Sequence, residues 1–186
     1  MPLGLLSWGL LVGALGANPL ETLTHETGEW ALRLLLATLA ITPLARLFLW
    51  AGLYRYRRML GLSAFGYGCL HLVCYLWFEQ GWWLAEIGRD LIKRPFILLG
   101  MLAFVLLLPL AGTSTDSLRR RLGARRWRKL HRLVYPAALL ASLHYLLLVK
   151  ADWVAPLVYL GILLLLLAAR RLPVGCLAFQ PSERTS

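Results

Sequence analysis

The chain has 186 residues, enough for one domain of ordinary size. Hydrophobic residues make up 59% and charged residues 16%, against about 45–50% and about 25% in soluble globular proteins, which excludes a disordered chain and points to a lipid-embedded one. Twenty Lys and Arg against nine Asp and Glu give a formal charge of +11. That charge sits between long apolar runs, so its partner is the membrane surface and not nucleic acid.

A membrane-crossing helix needs about 20 mostly apolar residues. Uncharged or nearly uncharged runs predict six spans, at about 3–20, 29–46, 59–78, 95–113, 131–149 and 153–169. The first is the weakest. Met1–Trp8 lacks the Lys or Arg that a secretory signal carries, so a short retained helix is expected there. The reading is an all-α, polytopic transmembrane helical bundle of about six helices. Residues 1–171 form a single transmembrane domain, and 172–186 a short irregular tail.

Orientation follows from the basic residues. Arg55, Arg57 and Arg58 follow the second span, the stretch Arg119–Arg132 follows the fourth, and Arg170 and Arg171 follow the sixth. These connections alternate with acidic or near-neutral ones, so all fall on one face, expected to be cytoplasmic with both termini. The Arg119–Arg132 stretch reads as a solvated positive-inside loop, or as a docking face for a flavoprotein. Trp30, Trp77, Trp82, Trp83 and Trp153 gather at the opposite face, where an aromatic belt belongs. Cys69, Cys74 and Cys176 form neither C-x-x-C nor C-x-x-C-H, which excludes covalent c-type haem attachment. They read as small buried hydrophobes.

The chemistry lies in the histidines. His25 is expected in a solvated, acidic outer connection. His71 and His144 each sit inside an uncharged span, where an ionisable residue is a functional candidate by default. His71 lies 13 residues past Arg58, and His144 lies 12 past Arg132. Both helices run outward, so each His stands about 18–20 Å from its basic end. Two imidazoles at one depth on facing helices are the axial ligands that a low-spin b-type haem requires; a helix–helix hydrogen bond is the plainer reading of either one alone.

His131 stands 13 residues before His144, about 19.5 Å along an ideal helix but about 140° around it. A local distortion is needed to bring the two to one face, and Pro136 can supply it. No second His faces His131 at that level. It is a candidate axial ligand with a non-His partner, a flavin or quinone contact, or a snorkelling interfacial side chain. Arg57, Arg58, Arg128 and Arg132 lie beside it and are candidates to bind a propionate, flavin or quinone.

Several stretches carry a family resemblance: Ile41-Thr42-Pro43-Leu44-Ala45-Arg46, Arg57-Arg58-Met59-Leu60-Gly61-Leu62, His71-Leu72, Lys93-Arg94-Pro95-Phe96, Thr113-Ser114-Thr115, Trp127-Arg128-Lys129-Leu130-His131-Arg132-Leu133-Val134-Tyr135 and His144-Tyr145. Over roughly Leu20–Arg171 the chain resembles the MsrQ (YedZ) family, within the wider ferric reductase-like transmembrane superfamily. The resemblance implies a haem-binding inner-membrane subunit of a protein-methionine-sulfoxide reductase system. Such a subunit takes electrons from the quinone pool or a cytosolic flavin reductase. It passes them through haem b, one or two, and FMN to MsrP, a periplasmic molybdopterin enzyme that repairs oxidised methionine. The wider kin usually carry two His on each of two helices; this chain has one on its third span. Two other classes stay open: a membrane ferric or cupric reductase, hinted at by His25 with Glu21, Glu26 and Glu29, and a non-redox transporter or assembly protein.

Overall fold

The structure is a computed structural model that describes residues 2–171. The expected tail 172–186, with Cys176, lies outside the described residues. Among the described residues every regular element is helical.

The stretch expected as a first span splits. Helix α1 covers Pro2–Leu11, ten residues, or about 15 Å, half of a hydrocarbon core. Gly13 and Gly16 then take φ +68° and +84°, conformations that Gly adopts without a Cβ penalty and that end the helix. Helix α2, Pro19–Leu47, starts ten residues before the expected boundary. Asn18 is its N-cap, with Pro19 next and Glu21 in the first turn. The Asn18 side chain accepts from the Glu21 backbone N–H and donates to its carboxylate, a reciprocal cap that satisfies groups the helix leaves open. The acidic outer connection is therefore helical.

Ala51–Arg55 forms a 3-10 turn that leads into α3, Tyr56–Cys74. The same axis continues as a π-turn over Tyr75–Glu79. Helix α4, Leu84–Lys93, is a short amphipathic helix in the near-neutral connection between the third and fourth expected spans. Helix α5, Pro95–Gly112, opens on a proline whose missing N–H is harmless in a first turn. The basic stretch expected as a loop is helix α6, Asp116–Leu130, broken at Gly123 where φ is +74°. Arg, Lys, Leu and Ala favour helix here, and Asp116 lies at its positive end.

A 3-10 turn, His131–Leu133, leads into α7, Val134–Leu148, and α8 covers Val154–Arg171. Four helices are long and apolar enough to cross a membrane: Pro19–Leu47, Ala51–Phe78, Pro95–Gly112 and Val154–Arg171. Helix α7 has 15 residues, and with its 3-10 turn it reaches about 28 Å.

The core is a slab of Leu and Ala. Leu32, Leu35, Leu36 and Leu39 follow the i, i+3, i+4, i+7 pattern on α2. They meet Ala64 of α3, Leu110 of α5, Val134 and Ala138 of α7 and Leu163 of α8. Ala137 and Ala138 are fully buried, which makes α7 an interior helix. Two antiparallel pairs, α2 with α3 and α5 with α7, form the body of the bundle, and α8 packs on α2 and α7. Helices α2, α5 and α8 run one way, α3 and α7 the other. Arg46, Arg57, Arg58, the α6 arginines and Arg170 therefore share one end, and Trp77, Trp82, Trp83 and Trp153 are exposed toward the other. The chain is a multi-pass membrane protein with an all-α transmembrane bundle.

Candidate functional site

Each antiparallel pair carries the same local device. On α3, His71 turns its Nδ1 to the carbonyl oxygen of Thr24 on α2, at 2.9 Å. On α7, His144 turns its Nδ1 to the carbonyl oxygen of Phe96 on α5, at 2.6 Å. A carbonyl only accepts, so both Nδ1 atoms carry the proton and both Nε2 atoms keep a free lone pair. One turn beyond each carbonyl stands a glycine. A Cβ on Gly28 would lie 2.9 Å from His71 Nδ1, and a Cβ on Gly100 would lie 2.9 Å from His144 Nδ1. The two glycines let the imidazoles lie against the helix backbone.

The structure brings these two histidines together. Their ring centroids are 6.1 Å apart with planes at 74°. The rings face a cleft between the four helices that encloses about 1270 Å³ of space, its open mouth included. Small residues clear it: Gly28 and Ala31 on α2, Ala64 and Gly68 on α3, Gly100 and Ala103 on α5, and Ala141 on α7. These sit three or four apart, so each clears one helix face. Leu32, Leu35, Ile97, Phe104 and Leu107 supply apolar walls. Apolar clefts with a few converging polar groups are the usual form of cofactor sites.

A polar network borders the cleft at the His144 side. Tyr145 donates its hydroxyl to Glu29 at 2.8 Å. Glu29 also pairs with Arg33 one turn on, and Arg33 Nε donates to the Tyr159 hydroxyl at 2.7 Å. The Arg33 guanidinium lies 4.9 Å from the centre of the Trp30 ring. Sequence reasoning missed Gly28, Gly100 and Arg33, and it gave Glu29 and Tyr145 no part in this network. The glycines left a trace, in small residues recurring at helical spacing inside apolar spans, a mark of close helix approach. The network left none, because its members sit on three different helices.

His131 lies at the opposite, basic end. Its Nε2 is 3.1 Å from the Thr113 hydroxyl, and its ring stacks on Trp127 with centroids 4.0 Å apart. Trp127 donates its indole N–H to the Thr113 carbonyl, and the Arg119 guanidinium lies 5.1 Å from the centre of its ring. The 3-10 turn over His131–Leu133 supplies part of the local distortion that one face would need. Three residues at 120° in place of 100° bring His131 and His144 to about 80° apart, from about 140°. Pro136 sits just after this turn and cannot donate to the Arg132 carbonyl, which accounts for the tighter winding.

The four candidate arginines separate. Arg57 is half-buried and acts electrostatically on His131. Arg58 is exposed and places Nη1 3.1 Å from both carboxylate oxygens of Asp116. Arg128 and Arg132 are exposed. At the outer end His25 lies 3.9 Å from Glu21, but among the described residues no three His, Cys, Asp or Glu side chains converge as a metal-ion cluster. Cys74 is buried, as expected, and Cys69 is partly so.

The family model for the ferric reductase-like transmembrane component matches residues 27–142, which take in His71 and His131 and stop just short of His144. The chain is 54% identical over 161 residues to the protein-methionine-sulfoxide reductase heme-binding subunit MsrQ of Rhodospirillum rubrum, covering 87% of this chain and 77% of that one. It is 51% identical over 163 residues to the MsrQ protein of Azospira oryzae, covering 87% and 70%. It is 49% identical over 172 residues to that of Herminiimonas arsenicoxydans, covering 91% and 79%. No solved structure gives a significant match. With half of its residues shared across most of its length, and with the transmembrane match over the paired helices, the chain belongs to the MsrQ family of the ferric reductase-like transmembrane proteins.

Proposed function

We propose that the chain is the haem b electron-transfer subunit of a protein-methionine-sulfoxide reductase system. The relatives are named as heme-binding subunits of that reductase. The observation that carries the reading is the facing pair of imidazoles, 6.1 Å apart, each with its proton on Nδ1 and held by a backbone carbonyl. The free Nε2 lone pair of each ring is the donor that would hold a haem iron. The small residues of the cleft leave a space for a flat macrocycle, where added Cβ atoms at Gly28 and Gly100 would drive the rings out.

His71 and His144 would hold the haem iron. Thr24 and Phe96, through their carbonyls, fix the tautomer and raise the basicity of the ligands. The apolar walls exclude water. Bound there, haem supplies one-electron transfer. His131 with Arg57 occupies the level at which electrons enter, where a second haem, FMN or a quinone docks, with Arg58, Arg128 and Arg132 on the same end. The donor is the quinone pool or a cytosolic flavin reductase, and the acceptor is the periplasmic molybdopterin-containing MsrP. The basic end, with the end of α8, faces the cytoplasm of a bacterial inner membrane; both termini were expected there, but α1 is too short to cross and leaves the start of α2 at the opposite face.

A reduced-minus-oxidised visible spectrum of the purified protein tests the reading. A sharp low-spin b-type signature with about one haem per chain at the His71–His144 site is expected. A protein that retains its fold and shows no haem after expression with haem supply would overturn it.

A further inference from the structure

At the basic end, α2, α7 and α8 converge on Arg170. Its Nη1 donates to the Tyr135 hydroxyl at 2.7 Å and its Nη2 to the Leu39 carbonyl. Its Nε–H is buried and has no partner. One turn beyond Leu39 on the same face of α2, the Thr42 hydroxyl is also buried without a partner. Two orphaned buried polar atoms at one end of a bundle are a debt that native proteins seldom leave open. The charge is equally unbalanced. Arg46 and Arg57 act electrostatically on Arg170, and Arg57 on His131 as well. Among the described residues no carboxylate pairs with Arg46, Arg57 or Arg170, because Asp116 is taken by Arg58.

We propose that Arg46, Arg57 and Arg170, with the Thr42 hydroxyl, form a binding site for a phosphate group. Arg170 offers its unpaired Nε–H and Thr42 its unpaired hydroxyl, Arg46 and Arg57 add guanidiniums from the last turn of α2 and the first turn of α3, and a tetrahedral oxyanion offers these donors separate acceptors. Arginine suits this role through its fixed planar fork and its weak hydration. The site lies in the last turns of α2 and α8 and the first turn of α3, the level at which headgroups meet a bundle. Its phosphate comes either from an anionic phospholipid or from a soluble phosphate ester. The site is distinct from the His71–His144 cleft at the other end, and it stands whether or not that cleft holds haem.

Native mass spectrometry and thermal melts of the full-length, detergent-purified protein test it, with phosphatidylglycerol and inorganic phosphate as probes. For a lipid source, one phosphatidylglycerol is held tightly and inorganic phosphate does not displace it. For a soluble source, inorganic phosphate raises the melting temperature saturably and displaces the lipid. In either arm Arg170→Gln and Arg57→Gln should weaken binding about tenfold or more, while Arg125→Gln, which removes the same charge from exposed α6, should not. Arg170→Gln also breaks the bonds to Tyr135 and Leu39, so the decision rests on Arg57→Gln, which removes no hydrogen bond, and on Arg57→Lys, which should retain most of the binding. Wild-type affinity for both probes in Arg57→Gln, or no binding of either by the wild type, overturns the proposal.

Discussion

Gly28 presents bare backbone to His71, and a Cβ at that position would stand 2.9 Å from the ring Nδ1. Gly100 stands in the same relation to His144. The repeated device sets up a test of sign. Gly→Ala inside a helix normally stabilises by about 1 kcal/mol. Gly66→Ala on α3, where a Cβ meets nothing within 4 Å, should follow that rule. Gly28→Ala and Gly100→Ala should instead displace an imidazole and weaken haem retention about 10–100-fold, the usual loss when the support of a metal ligand is disturbed. Haem-to-protein ratios of the three variants check this; equal ratios would remove the cradle from the argument.

His71→Ala and His144→Ala should each abolish the low-spin b-type spectrum of the outer site. The rings face one another at 6.1 Å from separate helix pairs, so each substitution removes one of the two imidazoles of the pair. His25 lines the same cleft, but it is half exposed beside Glu21, and His25→Ala should leave the spectrum unchanged. A full low-spin spectrum in either of the first two variants would refute the pairing.

Tyr145, Glu29, Arg33 and Tyr159 tie α2, α7 and α8 together beside the cleft. Tyr145→Phe removes one neutral donor and should cost about 0.6 kcal/mol, the average for interhelical hydrogen bonds in membranes. Glu29→Gln leaves the Arg33 charge without its counter-ion and should cost more, about 1–3 kcal/mol. Melting temperatures in one detergent should therefore fall in the order wild type, Tyr145→Phe, Glu29→Gln. The reverse order would mean that Arg33 draws its stability from Trp30 and Tyr159 alone.

Arg58 and Arg126 lie at one end of the bundle, on either side of α5 with its antiparallel partners. Reporter fusions after Arg58 and after Arg126 should both read cytoplasmic. A periplasmic reading from either would reverse the direction of electron flow proposed above.

The apolar runs made the central helices legible, because lipid-facing helices announce themselves by composition. Counting charges hid the start of α2. By charge alone Glu21, His25 and Glu26 read as a loop, although Asn18-Pro19 followed by Glu21 is a helix-start signal in its own right. The facing of His71 and His144 was readable from their similar distances to the basic ends, 13 and 12 residues, since depth in a bundle follows residue count. The cradle was not, because Thr24 and Phe96 contribute only backbone oxygens, and a carbonyl leaves no mark in a residue's identity. Helix α6 was hidden by its charge, which suits a solvated helix as well as a loop. The angle of His131 depended on three residues of 3-10 winding, a local choice below the resolution of an ideal helical wheel.

His131 raises the last expectation. Electrons that enter at the basic end must cross about 30 Å of hydrocarbon. The His71–His144 level lies about 21 Å along the axis from His131, counting three 3-10 residues and ten α-helical ones. Tunnelling over so long a gap in one step is slow, so a relay near the basic end is required. His131 is held for such a role: its Nε2 meets Thr113, its ring stacks on Trp127, and Arg57 lies close enough to favour an anionic partner. His131→Ala should leave the outer haem largely assembled, because neither imidazole there depends on it. Dithionite should still reduce that haem, whereas reduction by the native donor should fall at least about tenfold, the effect of a barrier raised by about 1.4 kcal/mol. Stopped-flow reduction of the variant decides between the two roles of His131. A wild-type rate with the native donor would mean that a quinone docks near enough to the outer site to bypass His131, leaving it as an interfacial side chain packed on Trp127.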